Sequence, residues 1–340
     1  MAVLEMPATV LEMPALDAMV GVDSGINTGS VLPKTMLPPY PWFGGKRKAT
    51  QIIWSRLGDV ANYCEPFAGS VATLLGRPHS IKGQVESVND WNCYVANFWR
   101  AVKYEPDAVA EWADNPVFEV DLHAIHNYLT RPVQVEFQRK MMLDPLFYDV
   151  KFAGWWIWGV CTWITSEFAS DIFPPEKADK HPSRSIPYMG GYGQGLNGKT
   201  AKPREMFRLL QQRFRRVRVV CGDWKRLTTP IVTTDMGITG MVLDPPYEGF
   251  EDLYTNATKG ISAEVRQWCL DNGNNPKFRI ALCGYDTEHA SMPADWECVP
   301  WKANGGHGNK RRDGTNENEN RERIWFSPHC LKVGAMQLMF

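Results

Sequence analysis

The segment MVLDPPY, residues 241–247, places a carboxylate, two prolines and an aromatic ring directly after an apolar run. The largely apolar residues 238–243 predict a strand buried on both faces, as in a parallel sheet covered by helices. The two prolines lack a backbone donor and fix φ, so they end the strand in a stiff segment. Asp244 would then lie at the carboxyl end of a strand, where open α/β sheets bind ligands. A surface turn that merely exposes Asp244 and Tyr247 is the alternative interpretation.

A second turn whose residues could bind a ligand is EPFAGS, residues 65–70. It lies between a strand predicted at Val60–Cys64 and a helix predicted from Val71 onwards. Gly69 lets the backbone approach a nucleotide closely, and the acid at the start of the turn can hold a ribose or a charged amine. Asp90 ends the next predicted strand. It follows the first strand–helix unit by about 20 residues, which is the spacing of an acid that binds ribose hydroxyls. Capping of the following helix is the alternative role for Asp90.

A third strand is predicted within VRVVCGDW, residues 217–224. Asp223 closes this strand, and Trp224 beside it could stack on a purine, although packing in the core is the ordinary role of a tryptophan. A fourth predicted strand is FRIALCGY, from Phe278 to Tyr285. Strands that alternate with helices in this way predict an α/β fold with a doubly wound, mostly parallel sheet.

The interval from residue 104 to 202 differs in composition and predicts an inserted module of helices followed by a Gly- and Pro-rich loop. Within it, FAGWWIWGVCTWI (152–164) predicts a buried Trp-rich helix, because it is too short to cross roughly 30 Å of hydrocarbon. Near the end of the chain, ERIWFSP alternates like an edge strand. The polar run 304–320 before it predicts a mobile loop.

The composition sets limits on function. The 340 residues are 44% hydrophobic and 22% charged, as in soluble globular proteins, and the net charge of -1 offers no global attraction to nucleic acid. Eight cysteines without a CxxC pair predict buried, reduced thiols in a cytoplasm. His123 and His126 have no matching pair, so we expect no metal site. Residues 1–20, which contain VLEMPA twice, show no pattern of a secretory signal, and residues 1–36 predict a poorly ordered extension or a small docking arm.

Five motifs occur in the order PWFGGK, EPFAGS, NDWN, GDW and DPPY, from Pro41 onwards. This series resembles the DNA adenine methyltransferases of the Dam-like, D12 class, found in phages and bacteria. The resemblance covers nearly everything from Pro41 to Cys330. It implies a Rossmann-like methyltransferase fold with a mainly helical target-recognition insertion. The implied parts are an extension at 1–36, a catalytic domain at 37–104 and 203–332, the insertion at 105–202 and a tail at 333–340.

The resemblance also implies roles for individual residues. The implied cofactor is S-adenosylmethionine, bound by Trp42, Gly45, Lys46, Glu65, Phe67, Gly69, Asp90, Asp223, Trp224 and Asp244. The implied catalytic residues are Asp244, Pro245, Pro246 and Tyr247. Many relatives carry FxGxG where this chain has FAGS, a shorter turn that bears on the tightness of cofactor binding more than on its location. Charge and glycine content alone predict DNA contacts by Lys48, Arg311, Arg312 and the insertion, with the arginines between 204 and 218 assisting.

Such an enzyme would act on an adenine flipped out of the duplex. The Asp244 carboxylate and the Pro245 carbonyl would each accept one N–H of its amine, and Tyr247 would stack on the base. No metal and no membrane partner are expected. A cognate restriction enzyme is a candidate partner, and the oligomeric state stays open. Two alternatives also stay open: a cytosine-N4 methyltransferase with the same fold, and a non-catalytic DNA-binding relative.

Overall fold

Within the described residues, a seven-stranded sheet forms the centre of the fold, with strand order β3-β2-β1-β4-β5-β7-β6. Strand β7 is antiparallel to both of its neighbours, and the other pairs are parallel. This confirms the predicted mixed α/β fold with a mostly parallel sheet. The strands are β1 Asn62–Glu65, β2 Val85–Asp90, β3 Val217–Cys221, β4 Thr239–Leu243, β5 Phe278–Tyr285, β6 Glu297–Pro300 and β7 Glu322–Phe326.

The structure is a computed structural model. It describes residues 36–42, 44–78, 84–130, 133–144, 146–163, 168–169, 203–248, 260–302 and 320–332. These residues belong to one compact unit, Pro33–Phe340. Several predictions fall outside the described residues: the extension before residue 36, the Gly- and Pro-rich loop of the insertion, nearly all of the polar run 304–320, and the tail 333–340.

Helices cover both faces of the sheet. They are α1 Thr50–Leu57, α2 Ala72–Leu75, α3 Cys93–Tyr104, α4 Pro106–Ala113, α5 Glu119–Tyr128, α6 Val133–Leu143, α7 Val150–Thr162, α8 Pro203–Phe214 and α9 Ile261–Asn272. Asn92 caps α3 by accepting a hydrogen bond from the Tyr94 amide at 2.9 Å. Most of α3 is buried, and its Trp99 stacks on Phe214 of α8 at 4.2 Å between ring centroids. Helix α3 is therefore a central element of the core and not a surface helix.

The order of the strands places two turns side by side. Strand β1 pairs with β2 on one side and with β4 on the other, so the chain direction across the sheet reverses between β1 and β4. Ligands bind at such a reversal, outside the carboxyl ends of the strands. The turn that follows β1 begins at Pro66, and the turn that follows β4 begins at Asp244. Both therefore open onto the same crevice.

The described helices of the interval 104–202 pack into the core of the catalytic part. Helix α7 is the predicted buried Trp-rich helix, and its Trp156 and Trp158 are fully buried. It packs against α3 and α4, while α4 also packs against α8. Helices α4 to α7 thus extend the central core, and a role of the interval in target recognition stays a prediction.

The prediction of ERIWF as an edge strand is wrong. Strand β7 lies between β5 and β6 and pairs with both. The edge is β6, whose residues alternate between half-buried and exposed and which ends in Pro300. Proline is tolerated at an edge because it has no N–H to donate to a neighbour. The sequence motif ECVP of β6 is too short to have been recognised as a strand.

All eight cysteines lie in the described residues and are free thiols, of which seven are buried and Cys298 is exposed. Among the described residues, no helix combines the length and the apolar character needed to cross a membrane. The same part of the chain contains no group of three or more His, Cys, Asp or Glu side chains that could hold a metal ion.

A buried ion cluster ties β2 to α8. Glu86 is 1% exposed and accepts hydrogen bonds from Arg77 at 3.0 Å and from Arg213 at 2.6 Å. The same guanidinium groups also donate to the Val60 and Leu74 carbonyls. A buried charge is tolerated only when it is paired and hydrogen-bonded, so each member of the cluster depends on the others.

We expect Glu86→Ala to lower the free energy of unfolding by about 3–5 kcal/mol, because Arg77 and Arg213 lose the buried carboxylate that they share. Urea unfolding measures this loss. The control is Asp107→Ala, which removes an exposed ion pair with Arg208 and should cost less than about 1 kcal/mol. Equal losses in the two variants would contradict the importance of the buried cluster.

Candidate active site

A cavity of about 280 Å³ opens at the carboxyl ends of β1, β2, β3 and β4. The lining of this cavity contains all the residues that the resemblance associates with the cofactor. They are Trp42, Gly45, Lys46, Glu65, Phe67, Gly69, Asp90, Asp223, Trp224 and Asp244. They come from five separate segments of the chain, so the sheet and not a continuous motif assembles them. Their binding roles remain predictions.

The turn after β1 is held in one conformation by contacts that require glycine. Gly69 has φ +45°, and its amide donates to Asp90 Oδ2 at 2.8 Å. Its carbonyl accepts the Tyr40 hydroxyl at 2.9 Å. A Cβ atom at this position would lie 2.3 Å from Nε1 of Trp42. Gly69 is therefore needed both for the backbone angle and for the close approach of the Trp42 ring.

Asp90 supports this turn with both of its carboxylate oxygens. Oδ2 accepts the Gly69 amide and Oδ1 accepts the Asn92 amide, each at 2.8 Å. Because Asn92 caps α3, the alternative role of Asp90 as the helix cap is wrong. Burial raises the pKa of Asp90 to about 6, against the effect of the two amide donors. Each oxygen has a second lone pair, so the carboxylate can still accept a ribose hydroxyl.

Aromatic rings form the wall on the β3 side of the cavity. Phe67 stacks on Trp224 at 5.9 Å between centroids, and Trp224 is only 4% exposed, so it acts largely as a core residue. Trp91 lines the cavity and is 43% exposed. The Asp223 carboxylate accepts the Lys225 amide and caps the short helix after β3.

Asn89 is a site residue that the sequence reading missed. Its Nδ2 donates to the Pro66 carbonyl at 3.0 Å and to the Gly222 carbonyl at 2.9 Å. It thus fixes the turn after β1 and the turn after β3 from the strand between them. Further residues that were missed are Trp91, Ile261, Glu264 and Glu322. Trp91 could have been found from its place beside Asp90, whereas the others carry no local signal.

The ammonium of Lys46 closes the β4 side of the cavity. It lies 2.7 Å from Asp244 Oδ1, donates to the Gly44 carbonyl at 2.7 Å, and Lys46 is 4% exposed. Burial is the largest single effect and opposes the charged form of Lys46, but Asp244 together with Cys283 and Glu322 outweighs it, so the pKa of Lys46 is raised. Burial raises the pKa of Asp244, and Lys46 counteracts that rise. The short contact between donor and acceptor indicates an ionised pair.

Tyr247 belongs to the same network. Its hydroxyl lies 2.9 Å from Glu322 Oε2 and 3.2 Å from Asp244 Oδ1. The ring packs edge-on against Tyr285, and the Lys46 ammonium lies 5.3 Å from the ring centroid. Tyr247 is only 8% exposed, so a base could stack on it only after Lys46 moves aside. Within the same motif, Pro245 is buried, whereas Pro246 is half-buried and lines the cavity.

The residues predicted to contact DNA are only partly described. Lys48 is exposed, two residues after Lys46, whereas Arg311 and Arg312 lie outside the described residues. The prediction for the cluster 204–218 needs correction, because Arg213 is buried against Glu86. Arg204 and Arg208 pair with acids of α4. Arg215 and Arg216 directly precede β3, so they lie at the end of the sheet opposite to the cavity. We therefore do not assign DNA contacts to this cluster.

Comparison with known proteins supports the resemblance over part of the chain. Residues 42–139 match the family model described as D12 class N6 adenine-specific DNA methyltransferase. No curated protein matches the chain. The matched segment includes the turn after β1 and Asp90. The residues after β3 and β4 lie beyond it, so their assignment depends on their motifs and on the geometry of the cavity.

Glu65 is the buried acid at the start of the turn after β1. It is 5% exposed and accepts the Tyr63 hydroxyl at 3.0 Å. Burial raises the pKa of Glu65 to about 8, opposed by the Tyr63 hydrogen bond and reinforced by Asp244. Near neutral pH this carboxyl therefore holds a proton. A cationic ligand beside it would favour the ionised form and release that proton.

If S-adenosylmethionine is the ligand, as the resemblance implies, we expect its affinity to rise with pH by up to ~tenfold per unit below the pKa of Glu65 and to level off above that pKa. The useful range begins above pH ~6.5, where Asp90 is already ionised. Calorimetric titration across this range measures the affinity, and buffers of different ionisation enthalpy report proton release. Glu65→Gln removes the titrating group of the protein and leaves the titration of the ligand's own amine. If the affinity of Glu65→Gln depended on pH in the same way as that of the wild type, Glu65 would not be the group that titrates on binding.

Proposed function

We propose that this chain transfers a methyl group from S-adenosylmethionine to the exocyclic N6 amine of an adenine in DNA. DNA adenine methylation is the activity that the description of the matched family names. One observation carries the proposal: the Asp244 carboxylate lies in the wall of a cavity whose other wall is the turn of Glu65 and Gly69. A methyl donor and an amine acceptor could thus meet at one point of the sheet edge.

The lining of the cavity fits the chemistry of this methyl donor. Glu65, Asp90 and Asp244 supply carboxylates suited to a cationic ligand with ribose hydroxyls. Phe67 and Trp91 supply rings suited to a purine. The cavity volume, about 280 Å³, is near the lower end of ligand pockets. Lys46, Gly69, Asp223 and Trp224 would complete the binding site.

When bound, S-adenosylmethionine supplies a methyl group activated by a positively charged sulfur. The residues of the chain prepare the acceptor, because the lone pair of the adenine amine is delocalised into the ring. If the Asp244 carboxylate and the Pro245 carbonyl each accept one N–H, the lone pair is directed towards the methyl group. The prolines fix both acceptors before the substrate arrives, which is electrostatic preorganisation. Asp244 also stabilises the positive charge that develops on nitrogen, and the proton is then lost to water.

Lys46 determines when Asp244 can accept the amine. In the structure its ammonium contacts Oδ1 of Asp244 at 2.7 Å. It also lies over the Tyr247 ring, so a flipped base must displace the ammonium before it can stack there. Extraction of a base costs a few kcal/mol, and one aromatic stacking contact of roughly 1–3 kcal/mol offsets much of that cost.

We expect Asp244→Asn to lower kcat by at least ~10²–10³-fold, because the amide keeps the shape of the side chain but loses the charge of the acceptor. Asp235→Ala, an exposed position on the short helix before β4, should keep full activity. Incorporation of labelled methyl into DNA, followed by nucleoside analysis, measures transfer and separates N6-methyladenine from N4-methylcytosine. Retained turnover in Asp244→Asn would show that Asp244 is not catalytic. Formation of N4-methylcytosine would show that the acceptor is cytosine and not adenine.

DNA contacts are proposed for Lys48, Arg311, Arg312 and the interval 105–202. Replacing both Arg311 and Arg312 by Ala should weaken DNA binding. It should also reduce the slope of log affinity against log salt concentration by about 2, since each lost phosphate contact contributes about 0.9 to that slope. The matched control changes Arg215 and Arg216, which are exposed at the opposite end of the sheet. Binding is measured by fluorescence anisotropy over a salt series. A slope that falls equally in both double variants would refute the proposed interface.

A further inference from the structure

Glu322 is a buried carboxylate at the edge of the candidate site. It is the first residue of β7 and is 4% exposed. Because β7 is antiparallel to β5, its first residue lies opposite Tyr285, at the carboxyl end of β5. Glu322 therefore reaches the same edge of the sheet as Asp244, although the two are far apart in sequence. A carboxylate this buried is unfavourable unless it is hydrogen-bonded.

The partner of Glu322 is the hydroxyl of Tyr247, at 2.9 Å. Burial raises the pKa of Glu322, with the nearby Lys46 ammonium opposing the rise and Asp244 adding to it. Burial also raises the pKa of Tyr247 well above its ordinary value, so its hydroxyl keeps its proton and acts as a donor. The Trp301 amide donates to the Glu322 carbonyl at 3.2 Å, which anchors the backbone of Glu322 beside the Lys46 ammonium.

The Tyr247 hydroxyl has one proton and two carboxylates within reach. The contact with Glu322 Oε2 is 2.9 Å and that with Asp244 Oδ1 is 3.2 Å. A single O–H can make one good hydrogen bond, and Oδ1 of Asp244 already accepts Lys46. Donation to Glu322 therefore leaves more of the Asp244 carboxylate available. Without Glu322, the hydroxyl would turn to Asp244 and the ring would lose its anchor.

We propose that Glu322 is a positioning residue that holds the Tyr247 hydroxyl, and so fixes the Tyr247 ring and keeps Asp244 free to accept the amine of the target base. This inference deepens the proposed function and rests on it. Glu322 is not among the described residues that line the cavity, so we assign it no direct contact with the methyl donor. Its positioning effect passes through the hydrogen bond to the Tyr247 hydroxyl, which makes the two residues a coupled pair.

The test is a double-mutant cycle of Glu322→Leu and Tyr247→Phe, measured as kcat at saturating donor and DNA. Each single change should lower kcat by roughly 10- to 100-fold, the scale of a small misplacement of reacting groups. The double variant should be no slower than the slower single variant, because both changes remove the same contact. The KM for S-adenosylmethionine should stay unchanged. Losses that multiply in the double variant would overturn the proposal.

Two further variants separate positioning from a merely structural role. Glu322→Gln keeps an acceptor oxygen for the hydroxyl, so its kcat should lie between the wild type and Glu322→Leu; a value equal to that of Glu322→Leu would count against the proposal. Ser327→Ala is the control one residue beyond the end of β7, since Ser327 is buried and accepts the Ile280 amide at 2.9 Å. It should lower the melting temperature and leave kcat per folded molecule unchanged. A kcat loss in Ser327→Ala as large as in Glu322→Leu would mean that any damage to β7 suffices.

Failure of the proposed function can be distinguished from failure of this inference. Absence of methyl transfer by the wild-type chain would refute the function. The same four proteins of the cycle are therefore also compared by thermal unfolding, which needs no turnover. Effects of Glu322→Leu and Tyr247→Phe on stability that add without coupling would refute the contact itself, whatever the activity of the wild type.

Discussion

A buried ammonium group needs acceptors for its N–H groups. For Lys46, these acceptors come from distant parts of the chain. The Gly44 carbonyl and the Asp244 carboxylate accept its hydrogen bonds, and the Tyr247 and Trp301 rings lie 5.3 and 5.6 Å away. Taking such a charge out of water costs several kcal/mol unless all these groups are in place. The segment before α1, the end of β4 and the residue after β6 are thus organised together, and the acceptor wall of the cavity exists before any ligand binds.

The opposite wall is set by the hydrogen-bond ladder of the sheet and not by the loops themselves. Pairing of β1 with both β2 and β4 fixes where the turn after β1 stands, and Asn89 of β2 fastens that turn to the one after β3. Support also comes from the helical interval, because Trp156 of α7 packs against Tyr40 and Trp42 behind Gly69. A change in α7 would reach the cavity through these rings. The interval that resembles a recognition insertion therefore also contributes to the shape of the site.

The sequence predicted what depends on local pattern and missed what depends on pairing across the chain. The apolar run Phe278–Tyr285 matches β5 residue for residue, and the turns rich in Gly and Pro were placed at strand ends as observed. By contrast, a charged run is ordinarily solvated, and only the fold shows that Arg213 is buried against Glu86. The place of Glu322 beside Tyr247 requires β7 to enter the sheet between β5 and β6. No periodicity in the sequence carries that information.

If the proposed function holds, the balance of charge around the cavity places different requirements on the methyl donor and on the DNA. Glu65, Asp90, Asp244 and Glu322 lie within or beside it, and Lys46 is the ammonium that lies among them. This excess of acidic groups would repel phosphate, so we expect the backbone of a DNA substrate to contact the protein outside the cavity, for example at the exposed Lys48. A cationic donor has the reverse effect, because its charge lowers the cost of ionising the buried acids. Asp244 is already ionised in its pair with Lys46, so a bound donor would mainly favour ionisation of Glu65. The proposed donor site and the proposed amine acceptor thus share one group of acidic side chains.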